Sequence, residues 1–458
     1  MKKALYICSG ALLAALAALF GVWLAQNDGM SVASVVMAAL VTLLFGAFLI
    51  ELVRAVLGAW FADRDPDAPL QPLRRAGEAG ARDTLRIGGW LLLSRIAVFV
   101  AAYLILLAMR GYEGGLFDTM ESIWRRGDSP SYLGIADNWY VTEGDPQYHI
   151  VFFPFYPVLI KLFAYVTGNT FAAAMLVSLL TSVGGGMLLY RLLRLDYGHS
   201  AAAFAVALVF IAPGAFFFTA PMTESLFLLL SAACLYSVRK RRYLLAGLFG
   251  ALAAFTRSPG VLLVVPMGIE AVRELIAMYK AKDARAARET VKRVAGILAV
   301  PLGICGYLLI NYLTWGDPFK FLQIQQEHWS QGLGFFFNTV SYQTDYFLRY
   351  FDSMEIEAAW GLWFANLAVI FASLAVVTAA ARKLRASYVG YFGVYFAVSV
   401  GATWLLSAPR YMTVAFPIAL GISLMCDKRY KKVLAVTVIG AFSLLYFVGF
   451  LHGGFQIW

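Results

Sequence analysis

Apolar segments of about 20 residues recur along the whole sequence, and each is long enough to cross the roughly 30 Å hydrocarbon core of a bilayer as a helix. Lipid offers no hydrogen-bond partner to the backbone, so such segments must pair their own N–H and C=O groups and therefore be helical. The chain is also 61% hydrophobic and 14% charged, whereas a soluble domain is about 25% charged. The sequence predicts an all-α polytopic transmembrane bundle of about 11 to 13 spans.

The basic residues indicate the topology, because Lys and Arg clusters between apolar segments are retained on the cytoplasmic side. Lys2 and Lys3 open an apolar stretch that is too long for a signal peptide and lacks a clear A-x-A cleavage site, which favours an uncleaved first span. We expect a bacterial cell-membrane protein with a cytoplasmic N-terminus and an extracytoplasmic C-terminus. The net charge of +10 is thus a topology signal and does not predict a nucleic-acid partner. Residues 270–293 predict one short amphipathic helix lying on anionic lipid.

Two long acidic loops are predicted on the extracytoplasmic side. Residues 110–150 contain seven acidic residues and three arginines, and residues 314–357 contain six acidic and two basic residues. We divide the chain into residues 1–86, with two transmembrane helices and an arginine-rich cytoplasmic loop, and residues 87–458, a transmembrane domain that carries both loops. The first loop is the leading candidate for a functional site.

Two apolar segments are predicted to be broken. Residues 150–167 must be re-entrant or interfacial, because a full crossing would place later basic clusters outside, and Pro154 and Pro157 favour a break. Residues 243–269 run between two basic clusters and contain Thr256–Gly260 in the middle, which predicts two short helices that meet at a break. Such breaks are tolerated only against protein or a wet cavity.

Asp128 is the candidate catalytic residue of the first loop. It lies in a Gly-Asp-Ser-Pro turn just beyond a membrane exit, where a carboxylate can face a cavity at the membrane surface. Alternatively, it caps the helix that begins near Pro130, because Asp favours the N-cap and Pro the first turn. The same ambiguity holds for Asp137, which either faces a site or pairs with Arg125 or Arg126 at the surface.

Three further charged residues are expected on the same side. Glu224 opens a predicted span at 222–238, where either a site or the helix dipole accounts for it. Arg257 lies at the break of the hairpin, and a guanidinium there needs an anion or a water-filled cavity, so a lipid phosphate is a suitable bidentate partner. Arg410 begins another span from the outside and either faces the same cavity or snorkels to the interface.

The sequence does not predict a metal site. The four histidines are His149, His199, His328 and His452. They form no H-x-x-x-H pattern, and the four cysteines have no paired spacing suited to zinc. The external loops contain no compact D-x-D pair. No cofactor is predicted, although a divalent metal is not excluded.

Five motifs in order resemble the PIG-V family, the GPI mannosyltransferase 2 type, and in particular its prokaryotic-looking members. The motifs are the loop with Asp128, Tyr132 and Ile135-Ala136, then Phe152–Pro157, Ala220–Phe227, Thr256–Gly260, and Ala408–Tyr411 with Phe416-Pro417. The family typically places an acidic residue of the first external loop directly after Trp, whereas three residues separate Trp124 from Asp128 in this sequence. Residues 1–86 lie outside these motifs.

This resemblance implies a type-C glycosyltransferase (GT-C) fold that holds a polyprenyl- or dolichyl-phosphate sugar, with mannose as the family's sugar. The sugar would pass with inversion to a hydroxyl of a lipid-linked or cell-envelope acceptor on the extracytoplasmic face. Asp128 would act as general base, and Arg257 and Arg410 would bind the donor phosphate without need of a metal. The residues expected to line the substrate cavity are Tyr132, Asp137, His149, Tyr156, Glu224 and Tyr411.

Two other functions are compatible with such a bundle. A lipid or glycolipid transporter or flippase also needs cations at broken helices, but it predicts paired breaks in two related halves. The sequence shows one clear break between two helices, within residues 243–269, and no internal symmetry. A non-catalytic partner in a glycosylation complex would keep the fold without needing Asp128.

Overall fold

A computed structural model describes residues 2–27, 29–61, 78–110 and 115–453. Within these residues the chain forms helices and no β-strand, so the predicted all-α architecture is confirmed. The arginine-rich loop predicted between the second and third spans lies largely outside the described residues.

The helices follow one another along the chain with short connections. The first eight are α1 (Lys2–Gln26), α2 (Val32–Phe61), α3 (Ala81–Arg110), α4 (Leu116–Trp124), α5 (Ser129–Asn138), α6 (Phe155–Thr167), α7 (Thr170–Arg194) and α8 (His199–Ile211). The next seven are α9 (Glu224–Arg239), α10 (Tyr243–Thr256), α11 (Val264–Lys280), α12 (Ala286–Ala299), α13 (Leu302–Trp315), α14 (Lys320–Trp329) and α15 (Phe336–Asp352). The last six are α16 (Ile356–Ala358), α17 (Ala365–Ala380), α18 (Ala386–Val400), α19 (Ala408–Thr413), α20 (Pro417–Met425) and α21 (Arg429–His452).

The chain is an integral membrane protein, because seven helical segments of the described residues are long and apolar enough to cross a bilayer. They are Lys2–Gln26, Val32–Phe61, Ala81–Met109, Thr170–Arg194, Ala286–Trp315, Ile356–Lys383 and Arg429–His452. The expected 11 to 13 spans also included residues 200–219 and 388–406, where α8 and α18 are apolar but have only 13 and 15 residues. At 1.5 Å per residue these helices are shorter than the hydrocarbon core.

Both predicted breaks are present. A 3-10 helix at Asp145–Val151 meets α6 at an angle of 115° beside Pro154, so the segment is bent instead of continuous. At the second break α10 ends and a 3-10 helix at Ser258–Leu263 leads into α11, with Arg257 extended between them. Gly260 allows the tight turn, since a Cβ there would lie 2.3 Å from backbone atoms of Ala253.

Close contacts between glycines and backbone hold the second break in place. A Cβ at Gly247 would lie 2.3 Å from the carbonyl oxygen of Gly296, and one at Gly303 would lie 2.0 Å from that of Ala251. Small residues are the usual means by which helices pack closely in lipid, where the hydrophobic effect does not drive association. α10 therefore packs tightly on α12 and α13, and the break at Arg257 rests on this contact.

The prediction of one helix over residues 270–293 is wrong. α11 ends at Lys280 and α12 begins at Ala286, and the two pack against each other through a buried ion pair between Arg293 and Glu274, with 2.7 Å between Nη2 and Oε2. The amphipathic pattern that suggested a lipid surface reflects this packing of one helix on the other, because burying the charged faces together satisfies both ions.

A buried ionic network, which we call the Arg385 cluster, joins Asp196, Arg239, Glu270, Arg273 and Arg385. The Arg385 side chain is 1% exposed; it donates to Asp196 Oδ1 at 2.8 Å and to both Glu270 oxygens at 2.6 and 2.9 Å. Arg239 also donates to Asp196 at 2.7 Å. Burial raises the pKa of the Glu270 carboxyl, but the Arg385 guanidinium more than offsets this and holds the pKa well below its usual range. The network ties α9, α11 and α18 to the loop after α7.

A buried cation inside the third span has a different role. Arg95 is 1% exposed and donates to the carbonyl oxygens of Ala215 at 2.8 Å and Phe210 at 3.0 Å. Both carbonyls lie at the end of α8 or just after it, where a helix leaves unpaired oxygens and a partial negative charge. Arg95 thus fixes the turn after α8.

We expect the Arg385→Met variant to lower the free energy of unfolding by about 3 to 5 kcal/mol, because it leaves Asp196 and Glu270 buried without their main counter-ion. The matched control is Arg382→Met, since the Arg382 side chain is 70% exposed and pairs with Glu51 at 3.0 Å. The loss there should be about 1 kcal/mol or less. Denaturant unfolding in detergent micelles measures both, and equal losses would contradict a dominant role for the buried network.

Candidate active site

Four charged residues from distant parts of the sequence meet in what we call the Arg410 cluster: Asp128, Glu224, Arg257 and Arg410. Arg410 donates from Nη1 to Asp128 Oδ2 at 2.6 Å and from Nε to Glu224 Oε1 at 2.5 Å. Arg257 forms an ion pair with the same Glu224 oxygen. The Glu224 and Arg410 side chains are 1% and 2% exposed, whereas that of Asp128 is 30% exposed. The cluster is therefore buried at its base and open at Asp128.

Asp128 occupies the turn between α4 and α5. Gly127 has a φ of +60°, a conformation that favours glycine and lets the chain reverse after α4. Asp128 sits at the N-cap position of α5, and its main-chain oxygen accepts from the Tyr132 N–H at 3.2 Å, but its side chain makes no capping hydrogen bond. The carboxylate is directed to Arg410 instead. Of the two roles considered for Asp128, the geometry favours the one at a site.

Glu224 begins α9 and Arg257 lies in the break after α10, so each stands at a helix end. Both side chains would be costly to bury alone, and each removes much of the other's cost. Glu224 therefore does more than complement the helix dipole. Arg410, for its part, does not snorkel to the interface, because its guanidinium is buried between Asp128 and Glu224.

Aromatic rings enclose the two guanidinium groups. The Arg257 guanidinium carbon lies 5.2 Å from the ring centroid of Tyr411, and that of Arg410 lies 5.2 Å from the ring centroid of Phe217. Gly214 makes the second contact possible, since a Cβ there would lie 2.5 Å from the carbonyl oxygen of Pro409. Cations over aromatic faces are stabilised without losing their free N–H donors.

Hydrogen-bonding capacity remains unused in the cluster. Among the described residues, one N–H of Arg257 and two of Arg410 have partners, although each guanidinium carries five donors. Glu224 Oε2, Ser129 Oγ and Thr223 Oγ1 are likewise buried without a hydrogen-bond partner there. Buried polar atoms are nearly always paired, so this concentration indicates a place built for a polar ligand.

Tyr132 and Tyr156 form one wall beside Asp128. Their rings meet edge to face at 5.5 Å, and the Tyr156 hydroxyl lies 2.7 Å from Ser178 Oγ. Ser178 in turn donates to the carbonyl of Ala220 at 2.8 Å. The wall therefore connects α5 and α6 to the segment that ends at Glu224.

Two of the residues predicted to line the cavity lie apart from the cluster. Asp137 is exposed at the end of α5 and accepts a hydrogen bond from Thr170 Oγ1 at 2.5 Å. His149 is half-buried; it packs near Gly134 and against Phe152, with 6.3 Å between ring centroids. Sequence proximity to Asp128 suggested both, but the direction of α5 carries Asp137 away.

Residues that the sequence pattern did not single out are Gly214, Phe217, Arg95 and Ser129. The sequence alone could have singled out Arg95, because a cation in the middle of an apolar span is rare and usually functional. Gly214 and Phe217 had none, since a contact with Pro409 or Arg410 depends on tertiary packing alone. Ser129 was part of the turn motif but was considered only as a neighbour of Asp128.

An apolar cavity of about 270 Å³ adjoins the cluster. Its lining includes Pro409, Met412 and Thr413, which flank Arg410 on α19, together with residues of α8, α17, α20 and α21. The described residues contain no group of three or more His, Cys, Asp or Glu side chains placed to hold a metal ion. The chemistry available at the site is thus two arginines and two carboxylates at the edge of an apolar space.

Comparison with known proteins identifies a related region. Residues 152–302 match the family model described as dolichyl-phosphate-mannose-protein mannosyltransferase. The matched region contains Glu224 and Arg257, and it excludes Asp128 and Arg410. No curated protein sequence matches the chain. The family match supports a membrane glycosyltransferase and does not confirm the narrower PIG-V assignment.

Two solved structures align with most of this chain at low sequence identity. ArnT from Cupriavidus metallidurans bound to undecaprenyl phosphate aligns with a TM-score of 0.46 and 17% identity, over 77% of this chain and 64% of ArnT. The archaeal oligosaccharyltransferase AglB from Archaeoglobus fulgidus, in complex with an inhibitory peptide and a dolichol-phosphate, aligns with a TM-score of 0.38 and 11% identity, over 79% of this chain and 56% of AglB. The chain thus spans less than two thirds of the length of either protein.

Proposed function

We propose that this protein is a GT-C-type glycosyltransferase that moves a hexose, with mannose as the first candidate, from a polyprenyl- or dolichyl-phosphate donor to a hydroxyl of a lipid-linked or envelope acceptor. The observation that carries the proposal is the hydrogen bond between Arg410 and Asp128. It joins a cation suited to a phosphate and a carboxylate suited to a hydroxyl within one partly open site. The family match over residues 152–302 supports the same reaction class.

The electrostatics suit a phosphate diester. The cluster contains two arginines and two carboxylates, so its formal charge is zero, yet most guanidinium N–H donors lack partners among the described residues. A phosphate that bears one negative charge can take these donors without displacing the Glu224 pairs, and the charged hydrogen bonds it gains are strong ones. The apolar cavity beside Pro409 and Met412 is suited to the first isoprene units of the same lipid.

The proposed reaction is a single displacement at the anomeric carbon. An acceptor hydroxyl attacks from the face opposite the phosphate, the bond from the anomeric carbon to the phosphate oxygen breaks, and Asp128 takes the hydroxyl proton. The product is an inverted glycoside together with polyprenyl phosphate. Arg257 and Arg410 stabilise the charge that grows on the leaving phosphate, so the scheme needs no metal ion.

Donor binding and base release are coupled in this scheme. Arg410 holds Asp128 before the donor arrives, and a phosphate that shares Arg410 weakens that hold. Glu224 stays between the two arginines and keeps them in place, because its contacts to both lie at the buried base of the cluster. The open face of Asp128 then points to the acceptor.

We expect Asp128→Asn to lower kcat by about 100-fold to 10,000-fold, because it removes the general base and leaves the buried arginines in place. The measurement is transfer of labelled sugar from polyprenyl-phosphate mannose and polyprenyl-phosphate glucose in membranes that contain the variant. The matched control is Glu143→Gln, an exposed carboxylate of the same loop, which should stay within about twofold of wild type. Normal turnover of Asp128→Asn at normal protein levels would remove Asp128 from the role.

We expect Arg257→Lys to raise KM for the donor by about tenfold or more, because a lysine keeps the charge but loses the planar fork that binds two phosphate oxygens. Arg125→Lys is the control, since Arg125 is exposed and pairs with Glu121 on the same helix face. Titration with the donor in detergent micelles measures KM for both variants. An unchanged KM in Arg257→Lys would show that Arg257 does not contact the donor.

A further inference from the structure

A second group of aromatic side chains lies outside the Arg410 cluster. On α15, Tyr342, Tyr346 and Tyr350 recur every four residues and so form one stripe along the helix. Tyr346 stacks on Trp363 with 4.6 Å between ring centroids, and Tyr342 stacks on Trp404 at 5.6 Å. The side chains of Tyr342, Tyr346, Tyr350 and Trp404 are half-buried, and that of Trp363 is buried. We call these five residues the Tyr346 platform.

Two buried polar atoms beside the platform have no hydrogen-bond partner among the described residues. They are the Gln343 Oε1 atom and the Trp363 Nε1 atom. Gln343 is 0% exposed and Trp363 is 3% exposed. Gln343 is oriented by its own Nε2, which donates to the carbonyl of Leu405 at 2.5 Å. One acceptor and one donor therefore lie among stacked rings with capacity for a ligand that carries hydroxyl groups.

The backbone around the platform is also unusual. Trp363 belongs to a π-helical turn at Ala359–Phe364, and such turns in α-helices are rare and frequent at functional sites. Residues 401–407 are irregular, and α15 and α17 hold them through side chains: the Leu405 N–H donates to the Tyr342 hydroxyl at 2.6 Å, and Asn366 Nδ2 donates to the Leu405 carbonyl at 3.4 Å.

Residues 404–410 link the platform to the Arg410 cluster along the chain. Trp404 precedes Arg410 by six residues, so their Cα atoms are at most about 20 Å apart even in a fully extended chain. α15 also lies within the long loop at 314–357 that we predict on the extracytoplasmic side.

We propose that the Tyr346 platform binds saccharide units of the acceptor, an inference that rests on the proposed transferase function. The apolar C–H face of a hexose packs on tyrosine and tryptophan rings, and these side chains lose little conformational entropy when they bind. The hydroxyl groups at the edge of the sugar then pair with Gln343 Oε1 and the Trp363 N–H. The acceptor would accordingly be a glycan or glycolipid that already carries sugar residues.

The test is binding of mannotriose, maltotriose and chitotriose to the full chain in phosphatidylcholine nanodiscs, by saturation-transfer difference NMR. We expect at least one of the three sugars to bind. Tyr346→Leu should weaken this binding about tenfold or more, whereas Tyr346→Phe, which keeps the ring, should stay within about twofold. Trp363→Phe keeps the stacking and removes the N–H, so it should weaken binding about fivefold.

Two results would overturn the proposal. Either none of the three sugars binds to wild type, or Tyr346→Leu binds them within about twofold of wild type. In both cases the stripe is an aromatic belt at the membrane interface. The Asp128→Asn variant separates this proposal from the proposed reaction, because it should bind the sugar like wild type. If sugar binding follows the platform variants while Asp128→Asn transfers sugar normally, the proposed mechanism fails and the binding site remains.

Discussion

The cost of taking charge out of water determines most of this structure. An isolated ion at membrane depth is costly by several kcal/mol, so each buried guanidinium must find a carboxylate, a set of carbonyls or a ligand. The Arg385 cluster and Arg95 are paired within the protein, the first by carboxylates and the second by carbonyls at the end of α8. The Arg410 cluster differs because it is partly open: the Asp128 side chain is 30% exposed, whereas those of Asp196 and Glu270 in the Arg385 cluster are 0% and 3% exposed. This difference in exposure distinguishes a structural network from a candidate site.

The two clusters are mechanically linked. α9 carries Glu224 at its first residue and Arg239 at its last, so it connects the Arg410 cluster to the Arg385 cluster across about 22 Å. α18 also connects the two clusters. Arg385 directly precedes the first residue of α18, and the chain after α18 leads to α19, which contains Arg410. The Arg385 cluster therefore fixes the axial position of the helices that carry the charges of the Arg410 cluster. An active site assembled from loops and broken helices needs such a fixed reference, because binding groups must be held to a fraction of an ångström.

The sequence predicted the helical architecture and the breaks, because both depend on local patterns: apolar length, proline and charge placement. The sequence also predicted that Asp128, Glu224, Arg257 and Arg410 lie on one side of the membrane. The basic clusters between the spans indicate which helix ends share a membrane face. It did not predict that Glu224 would bridge both arginines, nor that α11 and α12 would bury an ion pair instead of lying on lipid. Those features depend on which helices touch, and a single sequence carries no direct record of contact. Asp137 shows the same limit, because the sequence does not reveal that its side chain accepts a hydrogen bond from Thr170 Oγ1.

Glu224 explains how two arginines can lie side by side in the Arg410 cluster. Two arginines side by side would repel each other, and at membrane depth the repulsion is weakly screened. A carboxylate between them removes that repulsion, and Asp128 satisfies the outer edge of Arg410 until a phosphate arrives. The arrangement is asymmetric, since Glu224 is buried between both arginines, whereas Asp128 is 30% exposed and can separate from Arg410. A carboxylate that is held only at one edge can change partners, and for this reason the proposed reaction assigns the proton acceptor to Asp128 and the fixed counter-ion to Glu224.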